Sequence, residues 1–172
     1  MSHPLPFQFL LRPAAAAAAK ESVAYPPPPP RNGWHTFEPC ATNGGSYLID
    51  SNTFIDYLGD VLTDARDVWV ENLFESKAHF TSIINRIEVL SFNAPAEDIE
   101  ELTELFANTT VILLSLEIEA RTILLRRTIK MKLPDAIVAT TAFVHHLTLV
   151  TRNTNDFKNV PGLTVVNPHD II

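Results

Sequence analysis

"KLPDAIVATTAFVHHLTLVT", residues 132–151, joins two patterns in one short stretch. Its first part is apolar and alanine-rich, is introduced by Pro134 and Asp135, and is long enough for a helix. Its second part, 147–151, is a brief continuous apolar run of the kind that forms a strand buried on both faces. A helix leading directly into such a strand is half of an α/β unit. Asp135 admits two readings here. Proline is favoured at a helix start and an acid in the first turn complements the helix dipole, so Asp135 can be a helix-start residue. It can also be an acid held at the edge of a buried element for chemistry.

Outward from this stretch the alternation continues. The pattern predicts strands at 46–50, 79–84, 109–115, 147–151 and 163–167. Between them it predicts a helix over 53–77 punctuated by Gly59, then helices at 85–92, 95–108 and 116–132, and the alanine-rich helix itself. Pro95 and the acids behind it mark a helix start. The strands are unbroken apolar runs and alternate with helices, which predicts a three-layer α/β/α domain with a central parallel sheet of four to five strands.

The chain has 172 residues, enough for one domain plus an extension, and 46% hydrophobic content supports a real core. Residues 1–45 differ from the rest. They hold six consecutive alanines and five consecutive prolines, and end in "NGG". Polyproline II has no internal hydrogen bonds and a short alanine helix is marginal. The segment therefore reads as a largely disordered extension, as upstream sequence from a misassigned start, or as a docking arm. The domain reads as 46–172. A net charge of −7 gives no global basic field. The single cysteine, Cys40, excludes an internal disulfide and fits a reducing compartment, so the expected location is cytoplasmic. No apolar run approaches the roughly 18 residues of a membrane span, and "MSHPLPFQFLLRP" is a poor signal peptide.

In open α/β sheets, sites gather beyond the carboxyl ends of the strands. Asp50 ends the first strand, Glu88 lies on the helix after the second, Asp135 begins the helix leading to the fourth, and Asn153 and Asp156 follow the fourth. Far apart in sequence, these groups would meet at one sheet edge. Clustered carboxylates repel unless a cation neutralises them, and an all-oxygen set suits Mg²⁺ or Mn²⁺. No Cys/His cluster suggests zinc. His145 and His146 are adjacent on a helix and diverge, which fits a solvated surface. Between Ala120 and Pro134 the charged residues are Arg121, Arg126, Arg127, Lys130 and Lys132, with no acid. This run is either a solvated helix face or a basic rim that holds a phosphate backbone.

At these residues the chain resembles the PIN domain, specifically the VapC-type ribonuclease toxin of bacterial toxin–antitoxin pairs. The stretches that carry the resemblance are "YLIDSNTFIDYL" (47–58), "TSIINRIEVLSF" (81–92) and "KLPDAIVATTAFVHHLTLVTRNTNDFKNVPGLTVVNP" (132–168). The resemblance covers about 46–172, essentially the whole domain. The resemblance implies a metal-dependent endoribonuclease in which Asp50, Glu88 and Asp135 bind Mg²⁺ or Mn²⁺. Asp156 is the remaining acid, since Asn153 is neutral where many relatives carry an aspartate. Thr151, Asn153 and Asn52 are supporting groups, with Thr151 as the strand-end hydroxyl that orients acids or water. Arg126, Arg127, Lys130 and Lys132 would hold RNA. The resemblance also implies a homodimer and a cognate antitoxin whose tail enters the acidic groove.

Three other readings compete. A haloacid-dehalogenase-type phosphatase needs an aspartate two residues after the strand-end aspartate, and Asn52 stands there. A degenerate PIN module that only binds partners would have a broken acidic set. A housekeeping RNA-processing PIN nuclease would share every motif with the toxin. A small antitoxin gene immediately upstream would separate these last two.

Overall fold

The computed structural model describes residues 45–171 apart from 60, 77 and 78. Cys40 and nearly all of the Ala- and Pro-rich extension lie outside the described residues. Five strands form one parallel sheet: β1 (Tyr47–Ile49), β2 (His79–Ser82), β3 (Thr110–Ile112), β4 (Thr148–Val150) and β5 (Val165–Val166), in the order β3-β2-β1-β4-β5. Among the described residues seven α-helices accompany them: α1 (Ser51–Leu58), α2 (Asp64–Glu75), α3 (Ile83–Leu90), α4 (Ala96–Ala107), α5 (Leu116–Thr128), α6 (Leu133–Val144) and α7 (Thr154–Phe157). A 3-10 turn at Pro168–Asp170 follows β5.

The three layers follow from the two-residue period of the strands. Leu48 and Leu149 face a core completed by Leu125 of α5, Ala136, Val138, Ala139 and Ala142 of α6, and Phe157 of α7. Ile49 and Val150, one residue on, face the opposite core with Phe54 of α1, Leu73 of α2, Val89 of α3, and Leu102 and Phe106 of α4. Phe54 is fully buried, its ring 4.6 Å from Phe106 and 5.5 Å from Phe74. The small residues of α6 let it lie close to the sheet, and its Thr140 shares a 2.7 Å hydrogen bond with Thr122 of α5. The α/β/α prediction is borne out, with five strands.

Several boundaries move, each for a local reason. The 53–77 pattern is two helices. Gly59 caps α1, and a Cβ there would stand 3.0 Å from the Ile55 carbonyl and 3.3 Å from Val61 Cγ2. β3 stops at Ile112 rather than 115, because among the described residues it pairs only with β2 and that ladder ends at Ser82↔Ile112. Leu113 and Leu114 are consequently exposed. α5 stops at Thr128 rather than 132, because Ile129 leaves the helical region for an extended backbone (φ −127°, ψ 133°), and α6 starts anew at Leu133. His145 and His146 are exposed, as expected, but they form the turn after α6. His146 takes φ 54°, a region that histidine tolerates better than most side chains.

Candidate active site

Parallel strands put all their carboxyl ends on one edge of the sheet. β1 is followed directly by Asp50, β4 by Thr151, and β2 by the turn into α3. Because α6 feeds β4, its first turn, with Asp135, also lies at that edge.

Asp50 is 9% exposed and is the N-cap of α1. Its Oδ1 accepts from the Ser51 N–H at 2.9 Å and from Asn85 Nδ2 at 2.7 Å. Its Oδ2 accepts from Asn52 Nδ2 at 2.8 Å and from the Thr151 hydroxyl at 2.7 Å. Asn52 Nδ2 also reaches Thr151 Oγ1 at 2.9 Å, and Asn52 Oδ1 accepts from the Arg152 N–H at 2.9 Å. The turn after β4 is thereby fastened to the turn after β1. Burial nevertheless holds the Asp50 carboxyl above its ordinary range, with Glu88 adding repulsion against the lowering effect of these donors.

Glu88 is exposed on α3, and its Oε2 accepts from the Ser51 hydroxyl at 2.7 Å. Asp135 is partly buried. Its carboxyl is also raised, by burial first and then by Asp156 and Glu88, with Lys132 pulling the other way. Asp135 is no capping residue: it accepts no hydrogen bond among the described residues, and α6 has no side-chain cap. Asp156 lies exposed on α7. Asn153 caps α7 without a side-chain bond, and its N–H donates to Thr151 Oγ1 at 3.1 Å.

The four acids therefore act on one another at one edge, Glu88 being felt by both Asp50 and Asp135. They stand as neighbours, and among the described residues no three His, Cys, Asp or Glu side chains are close enough together to hold an ion as they stand. The donor set fits a hard divalent cation in its chemistry: every group is an oxygen ligand and the net charge is negative. Asp50 already uses both oxygens on four donors, about the capacity of a carboxylate, so a cation there takes the place of one of them. Glu88 Oε1, Asp135 and Asp156 keep oxygens open.

A cleft of about 430 Å³ adjoins the acids, lined by Arg126, Lys130, Met131, Lys132, Asp135 and Asp156. Arg127 falls outside it, in a neighbouring hollow of about 340 Å³ formed with Arg126, Thr128 and Lys130. The basic run thus splits, with three of its cations beside the acids.

Three polar residues escaped the sequence reading. Ser51 and Asn85 join the acids, and Asp56, 2% exposed, pairs with Arg152 at 2.6 Å and with His169 at 2.9 Å. That network fastens α1 to the turn after β4 and to the chain end. Asn85 carried a legible signal: with Val89 it forms the buried stripe of α3, so a polar residue occupies a core position.

The PIN-domain family model matches residues 47–163. No curated protein matches the chain. A toxin–antitoxin complex from Klebsiella pneumoniae is 32% identical over 73% of this chain and 100% of its own, with a TM-score of 0.59. VapBC2 from Rickettsia felis, bound to a promoter DNA fragment, is 22% identical over 70% of this chain and 97% of its own, with a TM-score of 0.61. DNA-bound VapBC from Salmonella typhimurium is 18% identical over 72% and 98%, with a TM-score of 0.62.

Proposed function

The chain belongs to the PIN-domain family of nuclease-type hydrolases, and from that premise we propose that it is an endoribonuclease dependent on Mg²⁺ or Mn²⁺ and the toxin of a type II toxin–antitoxin pair. The observation that carries the reading is the placement of Asp50, Glu88, Asp135 and Asp156 at one sheet edge, beside a cleft walled by Arg126, Lys130 and Lys132. The Klebsiella complex supports the toxin role over a housekeeping nuclease.

Asp50, Glu88, Asp135 and Asp156 would hold the cation. Once bound, it supplies a water of lowered pKa and draws charge from the phosphoryl oxygens. The chain's own groups do the rest. Thr151, Asn52 and Asn85 keep Asp50 in one orientation. Glu88, exposed and with an open oxygen, would take a proton from the attacking water. Arg126, Lys130 and Lys132 hold the phosphates on either side of the reacting one. A cognate antitoxin and a second copy of the chain are the proposed partners. Leu113, Leu114 and Leu116, exposed on one segment, support a chain that works in contact with others. No helix among the described residues is long and apolar enough to cross a membrane.

The test is cleavage of a 5′-labelled single-stranded or looped RNA. Cleavage should stop in excess EDTA and return with added Mn²⁺. Undiminished cleavage in chelator, with contaminating nucleases excluded, would sink the proposal.

A further inference from the structure

The hydrogen bonds around Asp50 have a direction. Asn85 is fully buried, and its amide nitrogen gives one hydrogen to Asp50 Oδ1 at 2.7 Å and the other to Ser51 Oγ at 3.0 Å. Its Oδ1 is buried with no partner among the described residues. An unpartnered buried carbonyl is costly, and rotating the amide would place that oxygen against the Asp50 carboxylate, which is worse. The orientation is therefore fixed by Asp50. Ser51 Oγ, accepting from Asn85, has one hydrogen to give, and gives it to Glu88 Oε2 at 2.7 Å. Asn85 thus donates to one acid directly and to a second through a serine. Glu88 sits on an exposed face of α3, where a long carboxylate side chain otherwise samples several rotamers.

We infer that Ser51 and Asn85 are positioning residues: a donor relay from the buried Asn85 amide through the Ser51 hydroxyl holds the Glu88 carboxylate in register with Asp50, preorganising the two acids for one divalent cation. The inference rests on the proposed metal site and adds how that site is kept in shape. Ligating carboxylates are commonly held by outer hydrogen bonds, whose loss costs about 10–100-fold in metal affinity or activity. Ser51→Ala removes the relay's hydroxyl and leaves the Ser51 N–H bond to Asp50 intact. Ser51→Thr keeps the hydroxyl. Asn85→Asp keeps the shape, removes both donors and sets a like charge against Asp50.

The test is Mn²⁺ binding by titration calorimetry on the full chain, without RNA, with a melting curve for each variant. Ser51→Ala should weaken Mn²⁺ by about 10–100-fold while melting as a folded protein, and Ser51→Thr should bind as the wild type does. The decisive arm is the double variant Ser51→Ala with Glu88→Gln. If Ser51 acts through Glu88, the pair binds no more weakly than Glu88→Gln alone, because interacting sites are non-additive. Independent, additive losses overturn the relay, as does wild-type affinity in folded Ser51→Ala. Should Asn85→Asp fail to fold, the Ser51 variants still decide. If the wild type itself binds no Mn²⁺, the proposed metal site fails and the relay with it, an outcome distinct from a wild type that binds and a Ser51→Ala variant that binds equally well.

Discussion

Replacing Arg126 and Lys130 together by alanine removes two of the three cations lining the acid-walled cleft. If each holds one RNA phosphate, each contributes about 0.7 to the slope of log affinity against log salt for a single strand, so the slope falls by about 1.4. Over a fourfold rise in salt, from about 50 to 200 mM, the wild type then loses roughly sevenfold more affinity than the double variant. Arg126 also has a structural task, since its Nε donates to the Met131 carbonyl at 3.3 Å. That bond is exposed and contributes about 0.5–1.5 kcal/mol at most, so the melting point should fall by only a few degrees. Arg127→Ala is the internal control, because Arg127 lines the neighbouring hollow, whose lining includes neither Asp135 nor Asp156. The assay is RNA binding at several salt concentrations, with kcat at saturating RNA. The double variant should bind weakly with little change in kcat, and Arg127→Ala should keep most of the slope. An unchanged slope in the double variant, or an equal drop in Arg127→Ala, refutes the cleft as the path of the RNA.

Asp135→Asn should melt at or above the wild-type temperature at neutral pH. The raised carboxyl means that its charge, opposed by burial and by Asp156 and Glu88, is a cost to the folded state; a clear drop in melting temperature would contradict this. His79, buried between the Leu73 carbonyl (3.1 Å) and Thr109 Oγ1 (3.2 Å), has its pKa lowered by burial. Below the ordinary histidine value of 6.5 the unfolded chain takes up a proton that the folded one resists, so this contribution is full above that pH and is lost as pH falls through it. In melting curves run against pH, His79→Gln should flatten that part of the dependence, and equal slopes would refute the assignment. Deleting residues 1–44 should leave one cooperative melting transition, since the composition of that segment offers little to a core. Loss of the transition would make it part of the fold.

What the sequence disclosed and what it withheld divide along physical lines. Apolar-rich strands such as "LTLVT", recurring in alternation with helices, fit burial on both faces, so the parallel sheet was legible. Once the sheet was placed, the edge carrying Asp50, Glu88, Asp135 and Asp156 followed. Hydrogen bonds set by register across the sheet were not legible. Asn85 lies 35 residues from the Asp50 it serves, and Asp56 lies 113 residues from His169. Neither spacing leaves a local pattern. Helix and strand ends were misjudged where a partner decides them: β3 ends because β2 does, and α1 ends where Gly59 closes on the Ile55 carbonyl. The basic run read as one face because its charges are close in sequence, whereas Arg126, Lys130 and Lys132 line the cleft that holds Asp135 and Asp156 and Arg127 lines the hollow next to it.

The most direct test of the account is the rate at which the folded wild type and four single variants cleave a 5′-labelled RNA in saturating Mn²⁺. The variants are Asp50→Asn, Glu88→Gln, Asp135→Asn and Asp156→Asn, each keeping the size of the side chain and removing its charge. The account predicts a loss of about 10²-fold or more in kcat for each, the scale of removing one key electrostatic stabiliser, in proteins whose melting curves show them folded. Near-wild-type kcat in folded Asp50→Asn and Asp135→Asn would contradict it, and would return Asp135 to the role of a helix-start residue.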